Sequence, residues 1–224
     1  MKIVRSFYSW PLLIQWLVSI VAGTTSIILI FFFFLNLFFP LNFILIPILK
    51  SAGHFAVTPL LRLSGYLKYH SAFMLTVKYP RNIWEIHNGT SFDYLLNMKW
   101  CNKGFFARQF IIRQYLEGLL NLIEEIKKTK NPDEIEIIGT SYFIGKNTIA
   151  KIGFREEKVQ FWRKILFVID YFNLLSLYSF SKGRISFPNI NHLKKIKIKG
   201  DKLLQAEALL RKYRLKFEGV FQYS

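Results

Sequence analysis

The sequence predicts an α/β (α+β) domain with a mixed sheet, built from an antiparallel meander and a crossover helix, behind an N-terminal membrane anchor. Three observations carry this. Pro11 to Leu49 runs 39 residues without an Asp, Glu, Lys or Arg, and a transmembrane helix needs about 20 predominantly apolar residues. From Ala72 the pattern changes to short β-prone runs. One long run at helical spacing then separates these from further strands. The chain divides into an anchor over 1–49, an interfacial connection over 50–71 and a basic α/β domain over 72–224.

The anchor admits two arrangements. One is a single tilted helix from about Trp10 to Phe39, with Pro40 turning the chain along the interface. The other is a hairpin of two helices, turning at Gly23–Ser26 or at Asn36–Asn42. Lys2 and Arg5 precede the run; Lys50, Arg62, Lys68, Lys78 and Arg81 follow it. Positive flanks stay on the cytoplasmic side, which favours the hairpin and a cytoplasmic C-terminal domain. A cleavable signal has an apolar core of about 7–15 residues and a small-residue exit; this longer run reads as a retained anchor. Over 51–68 the chain reads as interfacial, with His54, Arg62 and Lys68 facing headgroups.

The whole chain holds 31 Lys+Arg against 14 Asp+Glu, a net charge of +17, and its first acid is Glu85. Such an excess calls for an anionic partner. Beside a membrane anchor, anionic membrane lipids fit that role better than nucleic acid, at roughly 1 kcal/mol for each Lys or Arg near the surface. Cys101 is the one cysteine, so neither an intramolecular disulfide nor a cysteine-based metal site is available.

Taken in order, residues 72–79 and 82–87 read as strands, and 90–98 as a third. Asn88-Gly89 between β-prone runs predicts a two-residue hairpin turn, since both positions favour φ > 0. That pairing sets His87 opposite Thr90 and Glu85 opposite Phe92. A long helix follows, capped by Asn102, with Phe105, Ile112, Leu116, Leu119, Ile123 and Ile126 on its apolar stripe and Asn131-Pro132 as its stop. Residues 134–143 read as a strand, 147–152 as a short helix and Gly153-Phe154 as a turn into another extended piece. A strand, a crossover helix and a second strand form a right-handed parallel unit.

Residues 159–181 form an apolar stretch broken by Asp170, Asn173 and Ser176. It reads as a helix in the core or in the membrane interface, with a second span as the costlier alternative. In 192–200, Lys195, Lys197 and Lys199 alternate with Ile196 and Ile198, as on a guarded edge strand or a lipid-facing strip. An amphipathic helix over 201–217 closes the chain.

No phosphate-binding loop, zinc-protease motif or nucleophile elbow is present. The densest polar segment spans Glu85 to Asp93. Glu85, His87 and Asp93 there suit a general base and its orienter, while the same residue types also build turns. Gly139-Thr140-Ser141-Tyr142 ends an expected central strand, where α/β sheets bind ligands; capping of the next helix explains the hydroxyls equally well.

The order of elements resembles the middle and end of the GNAT acyltransferase fold: three meander strands, a long helix, a strand, then a short helix ending in Gly-Phe. Asn147, Ala150, Gly153 and Phe154 match that superfamily's Asn-x-x-Ala … Gly-Phe ending, over roughly 80 residues in all. The resemblance implies CoA or acyl-CoA bound at the start of the long helix, where Lys99–Gly104 corresponds to the superfamily's glycine-rich loop, through Asn102, Lys103 and Gly104. Glu85, His87 or Asp93 would be the base, Tyr142 the proton donor, and a lipid or amphipathic molecule the substrate. The alternative is a non-catalytic subunit or scaffold of a membrane protein complex, with other membrane-protein subunits as partners.

Overall fold

The structure, a computed structural model, describes residues 7–36, 53, 55–97, 104–141, 146–169, 171–189 and 193–218. Its first long element is helix α1, Leu12–Asn36. At 1.5 Å per residue such a helix spans about 37 Å, against about 30 Å of bilayer hydrocarbon. Leu12–Phe32 is long and apolar enough to cross a membrane. The helix is inside-out: Leu13, Leu17, Val21, Leu29 and Phe31 are exposed, whereas Gln15, Ser19 and Gly23 are buried. Gly23-Thr24-Thr25-Ser26 is therefore no turn. Thr24 donates its hydroxyl to the Ile20 carbonyl at 2.8 Å, and Gly23 leaves room for Val57 and Leu60 of helix α2, over 55–63. The alternative turn, Asn36–Asn42, falls almost wholly outside the described residues.

The described strands make one six-stranded sheet in the order β1-β2-β3-β4-β6-β5. They are β1 Lys68–Tyr69, β2 Met74–Tyr79, β3 Ile83–Asn88, β4 Glu136–Ser141, β5 Arg155–Glu157 and β6 Lys194–Lys199. Only β3 and β4 are parallel; the other neighbours are antiparallel. The meander is present, one strand earlier than expected. Residues 90–98 do not pair; Ser91–Asn97 is helix α3. The turn between the first two expected strands is present at Pro80-Arg81-Asn82, where Arg81 and Asn82 have φ of 63° and 56°. Glu85 thus sits opposite Val77 and His87 opposite Leu75. Gly89 serves a different need, since an added Cβ would lie 3.0 Å from the Phe73 Cα.

The crossover is helix α4, Phe105–Ile126. Its buried side, with Leu116, Leu120, Ile123 and Ile126, packs on Met74, Trp84, Ile137, Ile196 and Ile198 of the sheet. Phe105, expected on that stripe, is exposed. The chain continues through α5 Lys146–Ile152, α6 Phe161–Ile169 and α7 Tyr171–Lys182. The stretch 159–181 is helical on both sides of Asp170, which lies outside the described residues. The terminal helix is two, α8 Gly200–Gln205 and α9 Glu207–Glu218. Leu203 and Leu210 from these complete the core.

β6 is not an edge strand, because β5 lies beyond it. Its lysines meet glutamates: Lys194 with Glu156 at 3.1 Å, Lys195 with Glu157 at 2.6 Å and Lys197 with Glu136 at 2.8 Å. The opposite sheet face, carrying Leu75 and Val77, is covered by Leu61 of α2 and by Leu67. Helix α2 therefore joins α1 to that face.

Candidate functional site

The parallel strands β3 and β4 end at Asn88 and around Gly139-Thr140. There the sheet, α4, α5, α7 and α9 line a cleft of about 620 Å³. Its floor is apolar: Met74, Ile86 and Ile196 rise from the sheet, Leu116 and Leu119 from α4, and Ile149 and Ile152 from α5. Four cations also line it, Arg108, Lys151, Lys182 and Lys216, and no carboxylate does so among the described residues. That segregation makes the local charge positive.

Hydroxyl and amide groups stand among the cations: Asn88, Tyr115, Thr140, Asn147, Tyr178 and Tyr213. Tyr115 donates its hydroxyl to Asn88 Oδ1, fixing both groups at the carboxyl end of β3. Arg108, Ile112, Tyr115 and Leu119 fall on one stripe of α4, so a single helix face supplies a cation, a hydroxyl and apolar wall.

α4 opens with Gly104, at φ 66°, and has no side-chain cap there. Its first-turn amides are left to other acceptors, and the helix dipole makes them favourable for an anion. A Cβ at Gly104 would lie 3.8 Å from the Lys182 carbonyl and from the Gly183 Cα, so the end of α7 abuts the start of α4. Arg108 and Lys182 therefore flank one end of the cleft.

Of the described residues singled out in the sequence, Glu85 and His87 come together, and Asp93 and Gly104 do not join them. His87 Nε2 is 3.7 Å from Glu85 Oε2, and Arg163 of α6 donates to Glu85 Oε1 and, at 3.3 Å, to Thr140 Oγ1. Glu85 is buried, and burial followed by the Glu85 charge pushes the Tyr79 phenol above its usual range. Glu85 and His87 lie on the Leu75–Val77 face of the sheet, and Thr140 joins their cluster to the rim of the cleft.

Asp93 is elsewhere, completely buried. Its Oδ2 accepts from the Thr90 amide at 2.7 Å and the Tyr69 hydroxyl at 2.8 Å, while Thr90 Oγ1 accepts the Asp93 amide at 3.4 Å. This is a capping box opening α3. Burial raises the Asp93 pKa, and the bonds from Thr90 and Tyr69 oppose that rise. Gly104 is at the helix start, as expected. Tyr142, Asn102 and Lys103 lie outside the described residues.

Sequence reasoning missed Asn88, Arg108, Tyr115, Lys151, Lys182 and Lys216. The α4 stripe was the available signal for Arg108 and Tyr115. No protein-family model, curated protein or solved structure matches this chain.

Proposed function

We propose that this chain is a membrane-anchored, acyl-CoA-dependent acyltransferase-like enzyme acting on a lipid or amphipathic acceptor. The observation that supports it best is the cleft, with its apolar floor, four lining cations and no carboxylate, at the carboxyl ends of the parallel strands. An acyl chain suits the floor. The phosphates of CoA suit Arg108, Lys182 and the open amides after Gly104, and the resemblance adds Asn102 and Lys103. The element order keeps part of the GNAT resemblance, with the antiparallel meander, long α4, β4 and then α5 before Gly153-Phe154, but α3 stands between the meander and α4. Helix α1 holds the domain at the bilayer, and the larger number of Lys and Arg residues following it favours a cytoplasmic domain.

In the reaction, an acceptor N–H or O–H adds to the thioester carbon and the C–S bond breaks. The acceptor's proton ends on the CoA sulfur. Tyr115, oriented by Asn88, is the described hydroxyl best placed in the cleft to relay it.

A second reading, a non-catalytic subunit of a membrane complex, is favoured by one observation: Asp93 is committed to a capping box and Glu85 to Arg163. Calorimetry on detergent-purified protein separates the two. Palmitoyl-CoA is expected to bind saturably and more tightly than CoA, and Arg108→Glu or Lys182→Glu to weaken it about tenfold each, as for loss of a charge-assisted hydrogen bond. Binding without release of free CoA in the presence of acceptor lipids supports the subunit reading; no binding to folded protein sinks the acyltransferase.

A further inference from the structure

Helix α6 is turned the opposite way from a surface helix of a soluble domain. Arg163 faces the sheet, reaching Glu85 and Thr140. Four of the apolar residues of α6 face outward, Phe161 at 70% exposed, Trp162 73%, Leu166 53% and Val168 53%, while Ile165 and Phe167 are half-buried. Surface helices normally bury the apolar stripe and expose the polar one. Lys158 and Lys164 stand exposed beside these residues.

The sheet register fixes which side this is. Glu85 pairs with Val77, and Leu75 with His87, so all four side chains share one face. Leu61 of α2 packs on Leu75 and Val77, and Val57 and Leu60 of α2 approach Gly23 of α1. Helices α1 and α6 thus attach to the same face of the sheet. Both are inside-out, α1 with Gln15 and Ser19 buried and its leucines and isoleucines exposed.

We propose that α6 is a second, interfacial membrane contact: it lies in the headgroup–acyl boundary of an anionic leaflet. Phe161, Trp162, Leu166 and Val168 enter the bilayer, and Lys158 and Lys164 meet lipid phosphates. Three things select a bilayer as the occupant. The apolar face continues the side on which α1 carries its own exposed apolar surface. The net charge of +17 complements anionic lipid. An amphipathic helix with aromatic residues on its apolar face and lysines beside it has the composition of interfacial helices, which bury that face roughly 5–10 Å deep. The proposal rests on α1 crossing the membrane and is independent of acyl-CoA binding.

The test uses the full chain in a Cys101→Ser background, reconstituted in phosphatidylcholine–phosphatidylglycerol vesicles. Single cysteines replacing Trp162, Leu166, Lys164 or Leu29 carry an environment-sensitive fluorophore. Quenchers are spin-labelled lipids with shallow or deep labels, and aqueous iodide. The expected result is shallow-lipid quenching and iodide protection at 162 and 166, iodide access at 164, and deep-lipid quenching at 29. Iodide access at 162 and 166 with 29 deep overturns the proposal alone. Iodide access at 29 as well overturns the anchor reading and this proposal with it. Protection at 162 and 166 without lipid quenching, rising with protein density, means that a second copy covers α6 and also overturns the proposal.

Discussion

Arg163 donates to Glu85 across 78 residues of sequence and ties α6 to the middle of β3. The Glu85 side chain is 8% exposed and that of Arg163 28%. A carboxylate so buried needs its partner. Replacing Arg163 by Met leaves it uncompensated and is expected to cost about 3 kcal/mol, at the low end for a broken buried pair because Arg163 keeps some solvent. Glu85→Leu combined with Arg163→Met should recover most of that loss, since apolar replacement of both partners removes the stranded charge. Denaturant unfolding of the single and double variants checks this; equal loss in both contradicts it.

Acid should weaken the fold through His70. Burial lowers its pKa from 6.5 to about 4, the neighbouring Lys68 and Lys78 act in the same direction, and Glu125 opposes them. The unfolded chain therefore takes the proton more readily than the folded one. The stability this histidine preserves is complete above pH 6.5 and declines as pH falls from 6.5 to 4. Below that the loss levels off at about 3 kcal/mol. His70→Gln should flatten that limb of a stability–pH curve, and an unchanged limb would refute the assignment.

Helix α4 can lie close to β2 because position 118 is glycine. A Cβ there would come within 2.7 Å of the Met74 Cβ and Sδ. Gly118→Ala is expected to cost about 1–3 kcal/mol by overpacking. Met74→Ala should cost less in that background than alone, a coupling that thermal unfolding of the four proteins measures.

Asp93 distinguishes a structural carboxylate from a catalytic one. Asp93→Ala removes the capping-box acceptor and the carboxylate bonded by Tyr69 and Thr90, for an expected loss of about 2 kcal/mol. Palmitoyl-CoA affinity should stay unchanged in protein still folded at low temperature. Unchanged stability with lost CoA release would reverse the assignment.

The sequence carried the architecture where the signal was periodic. The 3.6-residue spacing of Ile112, Leu116, Leu119, Ile123 and Ile126 located α4, and the alternation of Ile196 and Ile198 with lysines located β6. It misled where one local signal had two uses. Asn88-Gly89 reads as a turn, yet its glycine is demanded by Phe73, a residue 16 positions away that no local pattern reveals. The β6 lysines looked like edge protection because their glutamate partners sit on other strands. Of the site, Glu85 and His87 were adjacent by alternation alone, whereas the lining of the cleft converges from α4, α5, α7 and α9 and only tertiary packing assembles it.

Photolabelling locates the acyl chain. The detergent-purified protein would be labelled with palmitoyl-CoA bearing a diazirine near the end of its chain, then mapped by mass spectrometry. Labelling is expected at Ile112, Leu116, Leu119 or Ile149, competed by unlabelled palmitoyl-CoA and lost in Arg108→Glu. Label confined to the exposed apolar faces of α1 and α6, insensitive to that competitor, would mean that the cleft holds no acyl chain.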